Sequence, residues 1–257
     1  MSLPGPARPL GHTIHALGTV DSTQIVAARL AASGATEGTV VTALHQREGR
    51  GRRGRPWLDK DGESLLMSVV LRPPVTPGQA PQLSLVAAVA IVDALRTFGE
   101  LPAAIRWPND VMVGERKICG MLPEAATSGP GAIGHLVLGI GLNVNQAAFA
   151  EPLTALATSV RMETGHVHDL ARVREAVLAA LDGWYARFLA TGVEGLREAW
   201  LERSQSIGRR VRAGDGRVGV AVDLADDGAL VIRTEDGETA RILAGDVTME
   251  AADAARH

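Results

Sequence analysis

Between Ala104 and Val144 four β-rich runs, AIRW, VMV, KICGML and HLVLGIGLNV, follow one another with only short breaks. Two more, TVVTALH (39–45) and SLLMSVVLRP (64–73), come earlier in the chain. Between the two groups, Leu83, Val86, Ala87, Ala90, Ile91, Ala94 and Leu95 recur at helical spacing and predict an amphipathic helix over 82–98. This much β with interleaved helices constrains the chain to an α+β or α/β domain on a mixed sheet, and α+β is the class we expect. Asp21-Ser22-Thr23 opens another helical pattern, with Ser22 or Asp21 as cap, Ile25, Ala28, Leu30 and Ala32 as its apolar side and Gly34 as its stop. Residues 1–20 read as an irregular lead-in. A long helix is expected over 169–190, capped by Asp169, with Val173, Val177, Ala180, Leu181, Trp184 and Phe188 as its stripe; a shorter one follows at 194–203.

From Ser206 the pattern changes. Short alternating segments are separated by turn signals at Gly214-Asp215-Gly216, Asp226-Asp227-Gly228 and Asp236-Gly237, which reads as a small barrel or sandwich. We therefore expect a first domain over 1–205, a small β-domain over 206–252 and a tail over 253–257. So small a β-domain is expected to pack on the first.

Composition narrows the function. A net charge of −3 over 257 residues is unlike a protein that coats nucleic acid. The single cysteine, Cys119, excludes an intrachain disulfide and fits a reducing compartment. The N-terminus shows no long apolar run, and the most apolar stretch, Leu83 to Leu95, is too short to span a bilayer. The expectation is a cytoplasmic protein with no membrane partner.

Four segments have the composition of a binding site. In 49–55, GRGRRGR, four arginines and three glycines alternate, and Trp57 follows. Glycine permits close backbone approach to a ligand, and arginine offers a permanent planar fork for carboxylate or phosphate. A solvated basic turn has the same composition. Arg106-Trp107-Pro108-Asn109-Asp110 presents an amide and a carboxylate at a turn, though Pro-Asn-Asp is also common in purely structural turns. In Lys117-Ile118-Cys119-Gly120-Met121-Leu122 a strand-interior glycine marks a close approach of ligand or backbone, with an edge lysine as the plainer reading of Lys117. Gly139-Ile140-Gly141-Leu142-Asn143-Val144-Asn145 repeats the theme, and Asn143 serves equally as a turn residue. At His166 and His168, two apart, a metal site is not expected.

Taken in order, DST, HQxxGRGRRGRxW, WPND, KxxGxL and GIGLNVN resemble the biotin protein ligases across the catalytic domain. The C-terminal β-segments resemble the SH3-like domain of that family. The resemblance implies two steps: biotin and ATP give biotinyl-5′-AMP and pyrophosphate, then a lysine of a biotin carboxyl carrier protein domain takes the biotin and AMP leaves. No enzyme nucleophile is required, and Mg²⁺ accompanies the ATP. Mapped by position, it implies a biotin site of Ser22, Thr23, Gln24, Gln46, Arg50, Gly51, Arg52, Lys117 and Gly120. It implies an ATP site of Arg52, Arg55, Trp57, Asn109, Asp110, Lys117 and Asn143. Arg50, Arg52, Lys117 and Asp110 are the implied catalytic groups. The chain departs from the family pattern at Gln24, where Asn is usual, at Leu44, where an acidic residue is common, at Arg106, where Lys is frequent, and at Pro123, which is expected to interrupt the strand. Two related readings are an enzyme that attaches lipoate or octanoate, whose RxSGGG-type motif is absent here, and a nucleic-acid-binding regulator. For the latter, the 20 residues before Asp21 are too few to hold a helix-turn-helix domain, so no DNA partner is expected.

Overall fold

The computed structural model describes residues 9–129, 131–243 and 247–249. The tail expected over 253–257 lies outside the described residues. The elements, in order, are β1 (Thr13–Val20), α1 (Thr23–Ala32), β2 (Thr39–Gln46), β3 (Ser64–Leu71), α2 (Leu83–Leu95), β4 (Ala103–Arg106), β5 (Asp110–Val113), β6 (Arg116–Gly129), β7 (Ala132–Asn143), α3 (Val160–Thr164), α4 (Leu170–Thr191) and α5 (Glu194–Arg203). Five further strands follow: β8 (Arg210–Ala213), β9 (Val218–Leu224), β10 (Leu230–Arg233), β11 (Thr239–Ile242) and β12 (Val247–Met249).

The first seven strands form one sheet in the order β1-β2-β3-β7-β6-β5-β4. Only β1 and β2 run parallel, so the sheet is mixed and the fold is α+β. Residues 13–20 correct the expected irregular lead-in. β1 has a single neighbour and buries no side chain fully, so its sequence needs no apolar alternation to hold its place. Helix α1 makes the crossover that a parallel pair requires.

The sheet is covered on both faces, which explains the continuous burial of β3. On one face Val41, Val70 and Val137 meet Ala27 and Ala31 of α1. The apolar side expected for α1 is thereby shifted: the buried residues are Thr23, Gln24, Ala27 and Ala31, because a helix lying close on a valine-lined sheet admits alanine beneath it and leaves larger residues at its flanks. On the other face Leu65, Met67, Val69, Leu71, Leu136, Leu138, Ile140 and Leu142 pack with α2, α4 and α5. Helix α2 is not amphipathic as expected. Of its thirteen residues only Asp93 escapes full burial, since the helix runs between the sheet and α4 and α5. The helical run Pro77–Phe98 is long and apolar enough to cross a membrane, but its apolar window is 78% buried in this protein's own core.

Pro123 does not end β6, which continues to Gly129. The Met121 N–H donates to Asn109 O, away from β7. Two residues on, Pro123 faces the same way, and β5 pairs with β6 only as far as Gly120, so no ladder bond is lost there.

The last five strands form an antiparallel sheet in the order β11-β10-β9-β8-β12. The three expected turns carry glycines at φ 89° (Gly216), 82° (Gly228) and 88° (Gly237), backbone that side chains disfavour. Val211, Ala213, Ala221, Leu224, Leu230 and Ile232 belong to the same continuous core as α2 and α5, so the small sheet is packed on the larger unit. Trp107 ties the two together: its N–H donates to Ser206 Oγ (3.0 Å) and its indole Nε1–H to Gly228 O (3.1 Å). Trp107→Phe keeps a ring but leaves the Gly228 carbonyl unpaired, at an expected cost of about 1–3 kcal/mol in denaturant unfolding. An unchanged midpoint would show that the bond between the sheets contributes nothing.

Candidate active site

The cleft follows from one face of the sheet. Directly opposed residues in antiparallel strands share a face, so the pairs Gly120↔Gly141, Leu122↔Gly139, Ser68↔Gly139 and Leu66↔Gly141 all lie on the side where Val137 meets α1. Helix α1 covers only part of that side. The rest is floored by three glycines, and the missing side chains leave a cleft there. Its walls are the first turn of α1 (Ser22, Thr23, Gln24) with Gln46 at one end, and Asn109 and Lys117 at the other. Arg50, Gly51, Arg52 and Trp57 form the roof.

The polar end is tightly bonded. Ser22 caps α1 by accepting from the Gln24 N–H (3.2 Å). Gln46 Oε1 accepts from the N–H of Thr23 (2.8 Å) and lies 3.0 Å from its hydroxyl. The Gln46 N–H points to Asp59, whose carboxylate also bonds His45 Nδ1 (2.8 Å), so the exit of β2 is pinned where the basic loop begins.

The basic loop folds over the floor as a hairpin. Trp57 N–H donates to Gly49 O (2.9 Å), Gly51 N–H to Arg55 O (2.8 Å), and Arg50 bridges Pro56. The Trp57 ring lies on the glycines: a Cβ at Gly141 would sit 2.5 Å from Trp57 Cε2, and one at Gly120 3.1 Å from Cζ3. The indole Nε1 of Trp57 is buried without a hydrogen-bond partner among the described residues, a donor left for a ligand. Arg52 reaches across the cleft to Asn109 Oδ1 (3.0 Å), and Asn109 Nδ2–H in turn donates to Met121 O (2.8 Å). Asn109 is thus a strut that fixes the loop to the turn after β4.

Lys117 reaches the cleft because of a bulge. Val111 pairs with Cys119 but Met112 with Lys117, so Ile118 is the extra residue. Lys117 and Gly120, three apart, would lie on opposite faces of a regular strand; the extra residue puts them on the same one. The Lys117 Nζ lies 2.6 Å from Asp110 Oδ1 and 5.7 Å from the centre of the Trp57 ring. Its backbone is held by Leu156 O and the Thr158 N–H. Neighbouring Cys119 is fully buried, and burial pushes its thiol far above the ordinary range, so no thiolate is available as a nucleophile.

Residues 17–143 match the model of the biotin/lipoate A/B protein ligase family, and residues 206–249 that of the biotin protein ligase C-terminal domain. A biotin–[acetyl-CoA-carboxylase] ligase of Paracoccus denitrificans is 37% identical over 86% of this chain and 94% of its own. The chain belongs to the biotin protein ligase family. A bifunctional ligase/repressor BirA of Bacillus subtilis is 33% identical, over 85% of this chain and 68% of its own. Among solved structures, the biotin protein ligase of Aquifex aeolicus in complex with biotin and ATP shares 30% identity, covers 94% of this chain and the whole of its own, and superposes with a TM-score of 0.80.

Of the residues that the resemblance implies, Ser22, Thr23, Gln24, Gln46, Arg50, Gly51, Arg52, Trp57, Asn109, Lys117 and Gly120 all line the one cleft. Asp110 stands behind Lys117. Arg55 and Asn143 do not line it: Arg55 is an exposed loop residue, and Asn143 is buried with its Nδ2–H on Thr158 O (3.0 Å). Arg106 turns away from the cleft to Glu115 (3.1 Å), which also holds Arg209, so the frequent lysine of the family is replaced here by a link to the small sheet. The sequence analysis singled out the segment of Gly139 and Gly141 by its glycines, but neither residue is among those the resemblance implies; the pairing Gly120↔Gly141 that brings them into one floor is visible only once register is known.

Asp110→Asn tests the pair. The partner oxygen remains, but the charge goes, and both groups are about a quarter to a third exposed. Loss of so wet a pair costs at most about 1 kcal/mol, or about 2–4 °C in melting. Adenylate formation is expected to fall by about tenfold or more. A large melting loss with full activity of the remaining folded enzyme would make Asp110 structural.

Proposed function

We propose that this chain activates biotin with ATP to biotinyl-5′-AMP and passes the biotin to a lysine of a biotin carboxyl carrier domain. The observation that carries this reading is the polarity of one cleft: neutral amide and hydroxyl groups at the α1 end, cations at the other. Thr23 and Gln46 suit the uncharged ring head of biotin. Arg50, Arg52 and Lys117 suit its carboxylate and the α-phosphate. In the first step a carboxylate oxygen attacks the α-phosphorus, and pyrophosphate leaves with the electron pair of the broken P–O bond. In the second the neutral amine of the acceptor attacks the acyl carbon, AMP leaves, and the amine loses a proton. Neither step needs an enzyme nucleophile, and buried Cys119 fits that requirement. Catalysis here is positioning and charge neutralisation.

Among the described residues no three His, Cys, Asp or Glu side chains gather as a metal cluster. Mg²⁺ therefore fits as a companion of the triphosphate, which supplies its own oxygens, with the Asp110 carboxylate as the nearby protein donor; the ion would neutralise phosphate charge. We assign catalysis to residues 1–205, with 206–252 as the buttressing domain, and place the enzyme in a reducing compartment such as the cytoplasm.

The test is incubation of the protein with ATP, Mg²⁺, biotin and a carrier domain, followed by mass analysis of the acceptor lysine. ATP-dependent biotinylation is the expected result. Attachment of octanoate or lipoate in preference to biotin would overturn the reading.

A further inference from the structure

Gln24 is buried in the first turn of α1, and its amide is fully committed. The Nε2 hydrogens go to Leu122 O (2.9 Å) and Val137 O (3.3 Å), and Oε1 accepts from the Ser68 hydroxyl (3.2 Å). With two carbonyls facing Nε2, the amide has only one orientation that satisfies its neighbours. The Ser68 proton is thereby directed to Gln24, so Ser68 Oγ meets the Thr23 hydroxyl (2.9 Å) as an acceptor. The single hydrogen of the Thr23 hydroxyl is thereby drawn to Ser68 Oγ, and Gln46 Oε1 is held by the Thr23 N–H (2.8 Å). That leaves the Gln46 Nε2 group, not its oxygen, turned away from Thr23. Gln24 thus sets the direction of a buried chain that ends on the Thr23 hydroxyl, at a residue lining the cleft.

The chain has room only because residue 139 is glycine. A Cβ there would lie 3.1 Å from Gln24 Cδ and would overlap its Oε1. Gly139 has no positive φ to explain its identity; the close approach of Gln24 does.

We propose that Gln24, seated in the space left by Gly139, is a positioning residue for the uncharged end of the site, acting through Ser68 on the Thr23 hydroxyl. This rests on the reading above that the ring head of biotin lies at that end. Two variants disturb the amide without touching the cationic end. Gln24→Asn is one methylene too short to hold Ser68 and both carbonyls together. Gln24→Glu keeps the acceptor for Ser68 but offers the Leu122 and Val137 carbonyls no hydrogen.

Biotin affinity, measured by calorimetry without ATP, is expected to weaken about tenfold for each, as loss of about one directed hydrogen bond implies. The KM for biotin should rise in step, while kcat for adenylate formation and the KM for ATP stay within threefold. Gly139→Ala should weaken biotin binding at least as much by displacing Gln24, and Gln24→Asn added to Gly139→Ala should recover part of that loss, since the shorter side chain clears the new methyl. Biotin affinity unchanged in Gln24→Asn and Gln24→Glu, equal loss in kcat and in biotin affinity, or a double variant as weak as the sum of its parts would each overturn the inference. If the wild-type protein bound no biotin, the reading of the site and this inference would fall together; wild-type binding with insensitive Gln24 variants overturns the inference alone.

Discussion

Replacement of Lys117 by alanine is expected to slow biotinyl-AMP formation by about two to three orders of magnitude while the protein stays folded. The two halves of this expectation have different sources. In the resting protein Lys117 pairs with Asp110 in a setting that is 33% and 25% exposed for the two side chains. Such a pair contributes at most about 1 kcal/mol to stability, and Asp110, left alone, remains partly hydrated. In the reaction Lys117 meets a different partner. Attack of the carboxylate at phosphorus brings two anionic groups together, and the ammonium sits at the cationic end of a cleft roofed by Trp57 and floored by Gly120, where ligand displaces water. One charged or hydrogen-bonding group aimed at developing charge in such a site is worth about 10²–10³ in rate. Lys117→Arg should recover only part of this, because a planar fork replaces a compact ammonium in a slot where Nζ already lies 2.8 Å from the position a Cβ of Gly120 would take. Single-turnover release of pyrophosphate measures the step. Formation of biotinyl-AMP within a few-fold of wild type in Lys117→Ala would remove Lys117 from the chemistry.

The path by which Lys117 reaches the cleft marks where sequence reading stops. KICGML is legible as a strand with a lysine and a glycine, and its motif places both at a ligand. Nothing in those six letters shows that Ile118 is an extra residue in the ladder, because the bulge is a property of the pairing with β5. Strand β1 escaped notice for a related reason: held by one neighbour and burying nothing fully, TIHALGTV has no pattern to display. Helix α2 was legible as a helix, but its uniform burial depends on α4 and α5, which are far along the chain. Conversely, Ser22, Asp169 and the turn glycines act within a few residues of themselves, so their local chemistry was sufficient to place them. In the site, the cationic residues and the glycine-bearing strands were legible from composition; that Gly120, Gly139 and Gly141 form one floor was not, since it takes two strands coming into register.

Arg52→Gly should convert the enzyme into one that releases its activated intermediate. The loop that Arg52 belongs to buries little: from Arg50 to Pro56 no residue is fully buried, and Arg53 sits at φ 55°, in the left-handed region. Ordering each residue costs about 1–2 kcal/mol, and each backbone bond in the hairpin returns only about 0.5–1.5 kcal/mol. Side-chain contacts help to hold the closed form, among them the Trp57 ring on Gly120 and Gly141, the Arg52–Asn109 link across the cleft and the Arg50–Glu124 ion pair (3.9 Å). Such a balance favours frequent opening until an anion arrives and gives the arginines charge-assisted bonds, which are about twice as strong as neutral ones. Amide hydrogen exchange over 48–57 should accordingly slow sharply when biotin and ATP are added. Removing Arg52 takes away the strut to Asn109 and one of the cations that hold the anhydride, and it adds a residue with more backbone freedom to lose. The adenylate then escapes before the carrier lysine arrives and acylates lysines without selection. A bystander protein that wild type leaves untouched should become biotinylated by Arg52→Gly in proportion to time and ATP. Equal protection of 48–57 with and without ligand, joined to an unlabelled bystander, would show instead that the hairpin is rigid in the free enzyme and that retention of the adenylate lies elsewhere in the cleft.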